Sequence, residues 1–136
     1  EVISADIYPT ILEIAGVVDP NETTDGLSLV STLRGERPLA RDALYWHYPH
    51  YHPGGASPYG AVRAGRYKLI EYFEDMRVEL YDLDVDIGEF INLASTLPEQ
   101  TARLLEMLHV WQSEVGAQLP TENPDYNPAQ AFTFTR

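Results

Sequence analysis

Residues 61–94 read A-V-R-A-G-R-Y-K-L-I-E-Y-F-E-D-M-R-V-E-L-Y-D-L-D-V-D-I-G-E-F-I-N-L-A, and this stretch decides the fold. Ala61 to Arg63 and Arg66 to Phe73 alternate like strands and join over Ala64-Gly65, where Gly65 supplies the positive φ of a tight hairpin turn. Glu74-Asp75-Met76 makes the next turn, and Arg77 to Tyr81 returns with Val78 and Leu80 on one face. An Asp-rich turn, Asp82-Leu83-Asp84-Val85-Asp86, then leads towards a helix.

Upstream of this stretch, Ala43 to His47 reads as one more strand. Pro49 to Pro58 cannot be a strand, because its prolines and Gly54-Gly55 break any ladder. Downstream, Pro98-Glu99 opens a long helix, with Thr96 as its cap, Pro near its first position and Glu in its first turn. Leu104, Leu105, Leu108, Trp111 and Val115 fall on one apolar face, and Gly116 ends the helix. The fold class predicted is therefore α+β. Four antiparallel strands at 43–47, 60–64, 66–73 and 77–82 are covered by a helix over 98–115. Trp46 and Trp111 are expected in the core.

The chain opens with a separate helix. Asp6 is placed to cap it, Pro9 is tolerable in its first turn, and Gly16 stops it. Ile7, Ile11 and Ile14, with Leu12 and Ala15 beside them, form a wide apolar stripe. So apolar a helix requires a partner surface, read here as that of an upstream domain. Val17 to Thr24 is a loop turning at Asp19-Pro20-Asn21. Ser28 to Leu33 forms a short helix ended by Gly35, and Pro38 to Asp42 is a boundary. The organisation read from the sequence is a terminal helix over 1–17, a linker with a short helix over 18–40, a subdomain over 41–116 and an extended Pro-rich tail over 117–136. In the tail, Phe132 and Phe134 alternate with Thr133 and Thr135, the pattern of a docked edge strand or a disordered end.

The 136 residues suit one domain with one core. The chain begins at Glu1 without Met and is read as a fragment, a mature form or an excised piece. No apolar run is long enough to span a membrane. There is no Cys, which excludes disulfides, thiolate metal sites and a Cys nucleophile within these residues. Nine basic against 21 acidic residues give a net charge of −12, a surface that repels phosphate backbones and argues against nucleic acid as a partner.

The densest polar-aromatic cluster is His47-Tyr48-Pro49-His50-Tyr51-His52. Three imidazoles in six residues raise a metal reading, which lacks a carboxylate or thiolate at matching spacing. A bland reading ends a strand at His47 and leaves His50 and His52 in solvent. The third is a ligand-facing loop. His and Tyr rings stack on sugars, their heads hydrogen-bond hydroxyls or sulfate oxygens, and imidazole, with an unperturbed pKa of ~6.5, can become cationic near an anion. Arg63 belongs to the chain's basic cluster with Arg66 and Lys68 and can reach an anionic ligand, although a solvated sheet face is the simpler role. On a strand, Arg66 and Lys68 would share that face. Asp82, Asp84 and Asp86 suggest calcium, but an EF-hand loop would need Gly at Ile87 and Glu at Leu93. They read instead as turn formers and caps. His109 reads as a surface or boundary residue of the long helix. No nucleophile-base-acid set, G-x-S-x-G, phosphate loop or H-E-x-x-H occurs.

Four motifs, in order, resemble the C-terminal part of type I, formylglycine-dependent sulfatases, a group that includes arylsulfatases and N-acetylgalactosamine-6-sulfatases. S-A-D-I-Y-P-T-I-L-E-I-A-G (4–16) looks like the D-x-x-P-T helix that closes the family's α/β domain. Asp25-Gly26-Leu27-Ser28-Leu29 resembles the D-G-x-S-L after it. V-R-A-G-R-Y-K-L-I (62–70) resembles the hairpin R-x-G-x-(Y/W)-K-L. E-L-Y-D-L-x-x-D-x-x-E-x-x-N-L-A (79–94) is similar to the family's strand-to-turn segment, with Ile87 standing where Pro is usual. P-T-E-N-P-D-Y-N-P (120–128) resembles the end of N-acetylgalactosamine-6-sulfatases.

The resemblance implies a parent enzyme that hydrolyses sulfate esters, with a formylglycine nucleophile and a calcium ion in an upstream catalytic domain. None of the C/S-x-P-x-R motif occurs here, so no catalytic or metal residue is carried over, no cofactor is expected in this chain, and it is expected to be inactive alone. Implied partners are the catalytic α/β domain and a sulfated sugar or small molecule. The family implies a periplasmic or secreted location. His47, Tyr48, His50, Tyr51, His52 and Arg63 are the candidate substrate-binding residues. The alternative is a free-standing carbohydrate-binding or interaction module.

Overall fold

In the computed structural model, which describes residues 1–17, 23–52 and 54–127, four strands pair antiparallel in chain order. They are β1 (Leu44–Tyr48), β2 (Tyr59–Ala64), β3 (Tyr67–Tyr72) and β4 (Val78–Asp82). The β2–β3 turn sits one residue later than the sequence suggests: Ala64 pairs with Tyr67, so Gly65 and Arg66 make the loop. Gly65 takes a φ of 58° at the first loop position, where a side chain is disfavoured. Arg66 therefore leaves the strand and shares no sheet face with Lys68. Its guanidinium forks onto Asp82, with Nε 2.7 Å from Oδ1, and ties the loop to the end of β4.

Alternation puts the row Tyr45, Val62, Leu69 and Leu80 on one face. The long helix, numbered α3 (Pro98–Glu114) because two others precede it, covers that face with Leu104 and Leu108. Val62, Leu69, Leu80, Leu104 and Leu108 are all fully buried, each worth about 1.5–3 kcal/mol of transfer free energy. Leu97, not Thr96, precedes α3, without a side-chain cap; the Thr101 hydroxyl instead donates to the Leu97 carbonyl at 2.9 Å. Val115 lies beyond the helix and is exposed. Trp111 is half-buried and stacks on Tyr45, with centroids 5.0 Å apart and planes at 8°. Trp46 is half-buried on the opposite face, beside Ala61, Ile70 and Tyr81. Both tryptophans thus pack against the core as expected, but neither is fully buried, because both sit at the β1 edge of the sheet.

The structure divides into two compact units, Glu1–Asp42 and Ala43–Arg136, and the sheet core belongs to the second. One core in one domain thus describes the second unit and not the whole chain. In the first unit, a 3-10 turn over Ser4–Asp6 leads into α1 (Ile7–Ala15), which ends at Gly16 with φ 69°, and α2 spans Val30–Leu33. Asp6 does not cap α1. Its fully buried carboxylate accepts the N–H groups of Ile3 and Leu27, each at 2.9 Å, and the forked guanidinium of Arg41. The Arg41 guanidinium holds the Asp6 carboxyl well below the usual carboxylate range. The Thr10 hydroxyl donates to the Asp6 carbonyl and accepts the Leu29 N–H at 2.9 Å. D-x-x-P-T and D-G-x-S-L are therefore two halves of one clasp. Gly26 completes it, since a Cβ there would lie 2.0 Å from the Ala5 carbonyl oxygen. The α1 stripe stays open: Ile7, Ile11 and Ile14 are 57%, 58% and 70% exposed. The Asp19-Pro20-Asn21 turn and the Phe132/Phe134 alternation lie outside the described residues.

Candidate functional site

The face of the sheet turned away from α3 carries a row of phenol rings at one end. Register pairs Tyr48 with Tyr59 and Tyr59 with Tyr72, so the three rings share a face. Their centroids are 5.8 and 6.4 Å apart in sequence across the strands. The Arg77 guanidinium lies 3.9 Å above Tyr72 and is also paired with Glu79 and Asp75. The loop after β1 adds His50, edge-on to Tyr48 at 5.4 Å, and His52, tilted to it at 6.4 Å. His52 Nδ1 accepts the Gly54 N–H at 2.9 Å, which puts the proton of a neutral ring on Nε2. The Tyr51 hydroxyl donates to Glu74 at 2.6 Å, and that bond, with burial, pushes its pKa up. Burial first, and Glu79 second, push up Tyr72.

Tyr48, His50 and His52 are thus brought together, Tyr51 lies between the two imidazoles in sequence but bonds Glu74, and two other candidates lie apart. His47 points to the α3 side of the sheet, because adjacent strand residues alternate faces. There its Nε2–H donates to the Gln118 carbonyl at 2.9 Å, its ring tilts against Phe73, and its Nδ1 is buried without a hydrogen-bond partner. Arg63 pairs with Leu44 and Lys68, four residues along β2 from Tyr59 or about 13 Å. Tyr59, Tyr72 and Arg77 belong to the cluster but were not among the candidates. Strand parity with Tyr48 was the signal that could have found the two tyrosines.

The Asp-rich turn has other work. Asp82 takes the Arg66 fork and the Asp84 N–H, and the Arg66 guanidinium lowers its pKa. Asp86 accepts the Phe90 and Ile91 N–H groups at 3.2 and 2.8 Å. Glu89 binds Lys68 with both oxygens at 2.7 and 2.9 Å. Asn92 Oδ1 accepts the N–H groups of Leu80 and Ala94. Among the described residues no three His, Asp or Glu side chains form a metal-sized cluster. His109 holds the buried Glu71 carboxylate, Nε2 to Oε2 at 2.9 Å, across the α3–sheet contact. What the ring cluster can do chemically is stack on a sugar face and donate hydrogen bonds to its hydroxyl or anionic oxygens.

The chain is thus an antiparallel four-stranded sheet under one long helix, preceded in sequence by the Asp6–Arg41 clasp, and solved sulfatase structures share this fold. Residues 1–115 match the model of the family described as N-sulphoglucosamine sulphohydrolase, C-terminal, and the chain belongs to that family. A sulfatase of Formosa agariphila is 37% identical over 110 residues, 74% of this chain and 20% of that protein. A delta 4,5-hexuronate-2-O-sulfatase of Bacteroides thetaiotaomicron is 38% identical over 92 residues, 65% of this chain and 18% of that protein. A solved structure in complex with its substrate D-glucosamine-2-N,6-O-disulfate superposes with a TM-score of 0.68 at 29% identity, covering 82% of this chain and 24% of that one. The chain spans about a fifth of the length of the curated relatives it matches.

Proposed function

We propose that this chain is the C-terminal part of an enzyme that hydrolyses a sulfate ester of a sulfated sugar. It packs on an α/β catalytic domain of the same polypeptide, and Tyr48, His50, Tyr51 and His52, with Tyr59 and Tyr72, form part of the substrate-cleft wall. The observation that carries this reading is the convergence of three neighbouring tyrosine rings and two imidazoles at one sheet end, in a chain of the sulfatase family. A sugar presents apolar ring faces and polar rims, and this cluster complements both. The named sulfated-sugar relatives support the substrate class. The open isoleucine stripe of α1 supports a larger domain against which it is buried.

The nucleophile and the metal belong to the catalytic domain in this reading, so the chain alone turns over no sulfate ester. His50→Ala and His52→Ala, made in the intact enzyme, test the wall. A hydrogen bond to a charged group is worth ~1.5–3 kcal/mol. Each variant should therefore lose roughly ten- to hundred-fold in kcat/KM on a sulfated monosaccharide, with an unchanged melting temperature. Wild-type kinetics in both variants remove the loop from the cleft. Loss of activity reproduced by a chelator that strips a histidine-bound metal replaces the wall with a metal site.

A further inference from the structure

The segment after β4 holds an apolar set in water. Val85, Ile87, Phe90 and Ile91 are 79%, 80%, 89% and 63% exposed, within seven residues. The largest apolar patch on a soluble monomer is about 300–600 Å² and is often functional. The backbone beneath these side chains is fixed. Asp82 O accepts the N–H groups of Val85 and Asp86, Asp86 O accepts that of Glu89, and the Asp86 carboxylate accepts those of Phe90 and Ile91. Leu93 N–H bonds Leu80 O at 2.7 Å and anchors the segment to β4. Glu89 adopts a left-handed φ of 56°, a conformation a non-glycine residue rarely takes. Its ion pair with Lys68 holds it there. The Phe90 ring lies so close over Gly88 that a Cβ at Gly88 would meet it at 2.2 Å. Six hydrogen bonds and the Lys68–Glu89 ion pair hold in place a surface that solvent alone does not favour.

We infer that Val85, Ile87, Phe90 and Ile91 form a preorganised docking surface for the catalytic α/β domain of the same polypeptide, which sets an apolar patch against them. This rests on the reading of the chain as the C-terminal part of a longer sulfatase. The exposed fractions leave about 500–600 Å² on these four residues for side chains of ~150–200 Å² each. Doubled across an interface, that falls in the 600–1,500 Å² of contacts between domains of one chain. It falls short of the ~1,600 Å² of a stable association between separate molecules. Connectivity supplies the missing free energy, since a tethered partner is present at millimolar effective concentration. Relatives about five times as long leave ample chain to form that partner.

The test is cysteine labelling, because residues 1–136 contain no Cys. Ile87→Cys and Phe90→Cys are made separately in the intact polypeptide, and maleimide modification of each site is followed by mass spectrometry, with the urea-unfolded protein as reference. Docking predicts labelling slowed more than about tenfold at both sites, a factor of ~1.4 kcal/mol, independent of protein concentration. Leu33→Cys, 73% exposed in the other unit, reports whether protection is local or general. Labelling at the unfolded rate at both sites overturns the inference. So does protection that vanishes on dilution with a monomer–dimer shift, which assigns the surface to a second copy. Sulfatase activity of the unmodified polypeptide is measured in parallel; protection without activity retains the docking surface and removes the enzymatic reading.

Discussion

Replacing Asp6 by Ala removes the centre of the clasp that joins α1 to the 24–29 loop. The variant leaves the Arg41 side chain, 9% exposed, without its carboxylate, and strands the Leu27 N–H. Removing one partner of a buried ion pair is destabilising by about 3–5 kcal/mol, because the remaining charge stays desolvated. The readout is local hydrogen exchange of Leu27 and Leu29 in the intact polypeptide, since melting of a multidomain chain is not two-state. Exchange should accelerate by about 10²- to 10³-fold or more. Arg41→Met in the same background should recover part of the loss, because no orphaned charge then remains. The pH dependence has a fixed sign. Arg41 depresses the Asp6 pKa in the folded state, and the unfolded value is ~3.9. The clasp's contribution is then complete above pH ~4 and is lost as pH falls through the lower folded value. Unchanged exchange in Asp6→Ala, or protection that fades between pH 5 and 8 in the native sequence, would refute this account.

Gly26→Ala puts a methyl 2.0 Å from the Ala5 carbonyl oxygen, a backbone atom that cannot rotate away, and should release the 24–29 loop by the same exchange assay. Leu108→Ala should destabilise the second unit by ~2–5 kcal/mol, and the half-buried Trp111→Ala by less, read as the order of their melting temperatures. His109→Ala leaves the buried Glu71 carboxylate without that partner and should cost ~1–3 kcal/mol at neutral pH, while His109→Gln restores most of it. Equal melting temperatures for the two His109 variants would show that the bond contributes nothing.

The sheet was legible because its strands alternate cleanly and its turns carry Gly65 and the Glu74–Met76 cluster; every strand boundary falls within two residues of the reading. The turn register was not, since Ala64-Gly65 and Gly65-Arg66 offer the same glycine and only the pairing of Ala64 with Tyr67 decides between them. Asp6 shows a second limit. An Asp before a helix reads as a cap of that helix, yet its carboxylate bonds back to the Ile3 N–H and out to Leu27 and Arg41, 21 and 35 residues away, and no local pattern announces the two distant partners. The ring cluster was half legible. Contiguous residues displayed the His-Tyr loop, while Tyr59 and Tyr72 join it only through cross-strand register, and His47 leaves it through the same alternation that formed the strand.

The motifs that mark the family and the residues that face the candidate site are different sets. Asp6, Thr10 and Gly26 close the clasp, while Asp82, Asp86, Glu89 and Asn92 fix the turn after β4. All of these are engaged by contacts within the chain. His50 and His52 stand outside the motifs, on a loop whose Pro49 and Gly54-Gly55 keep it out of the ladder, and their rings face Tyr48 and solvent. A scaffold held by one set of side chains leaves the other set open to change without loss of the fold. Exchanging residues 49–56 between two sulfatases of this architecture should therefore move substrate preference while leaving exchange protection at Leu27 and Leu80 intact. A swap that melts the sheet would show instead that the loop supports the core.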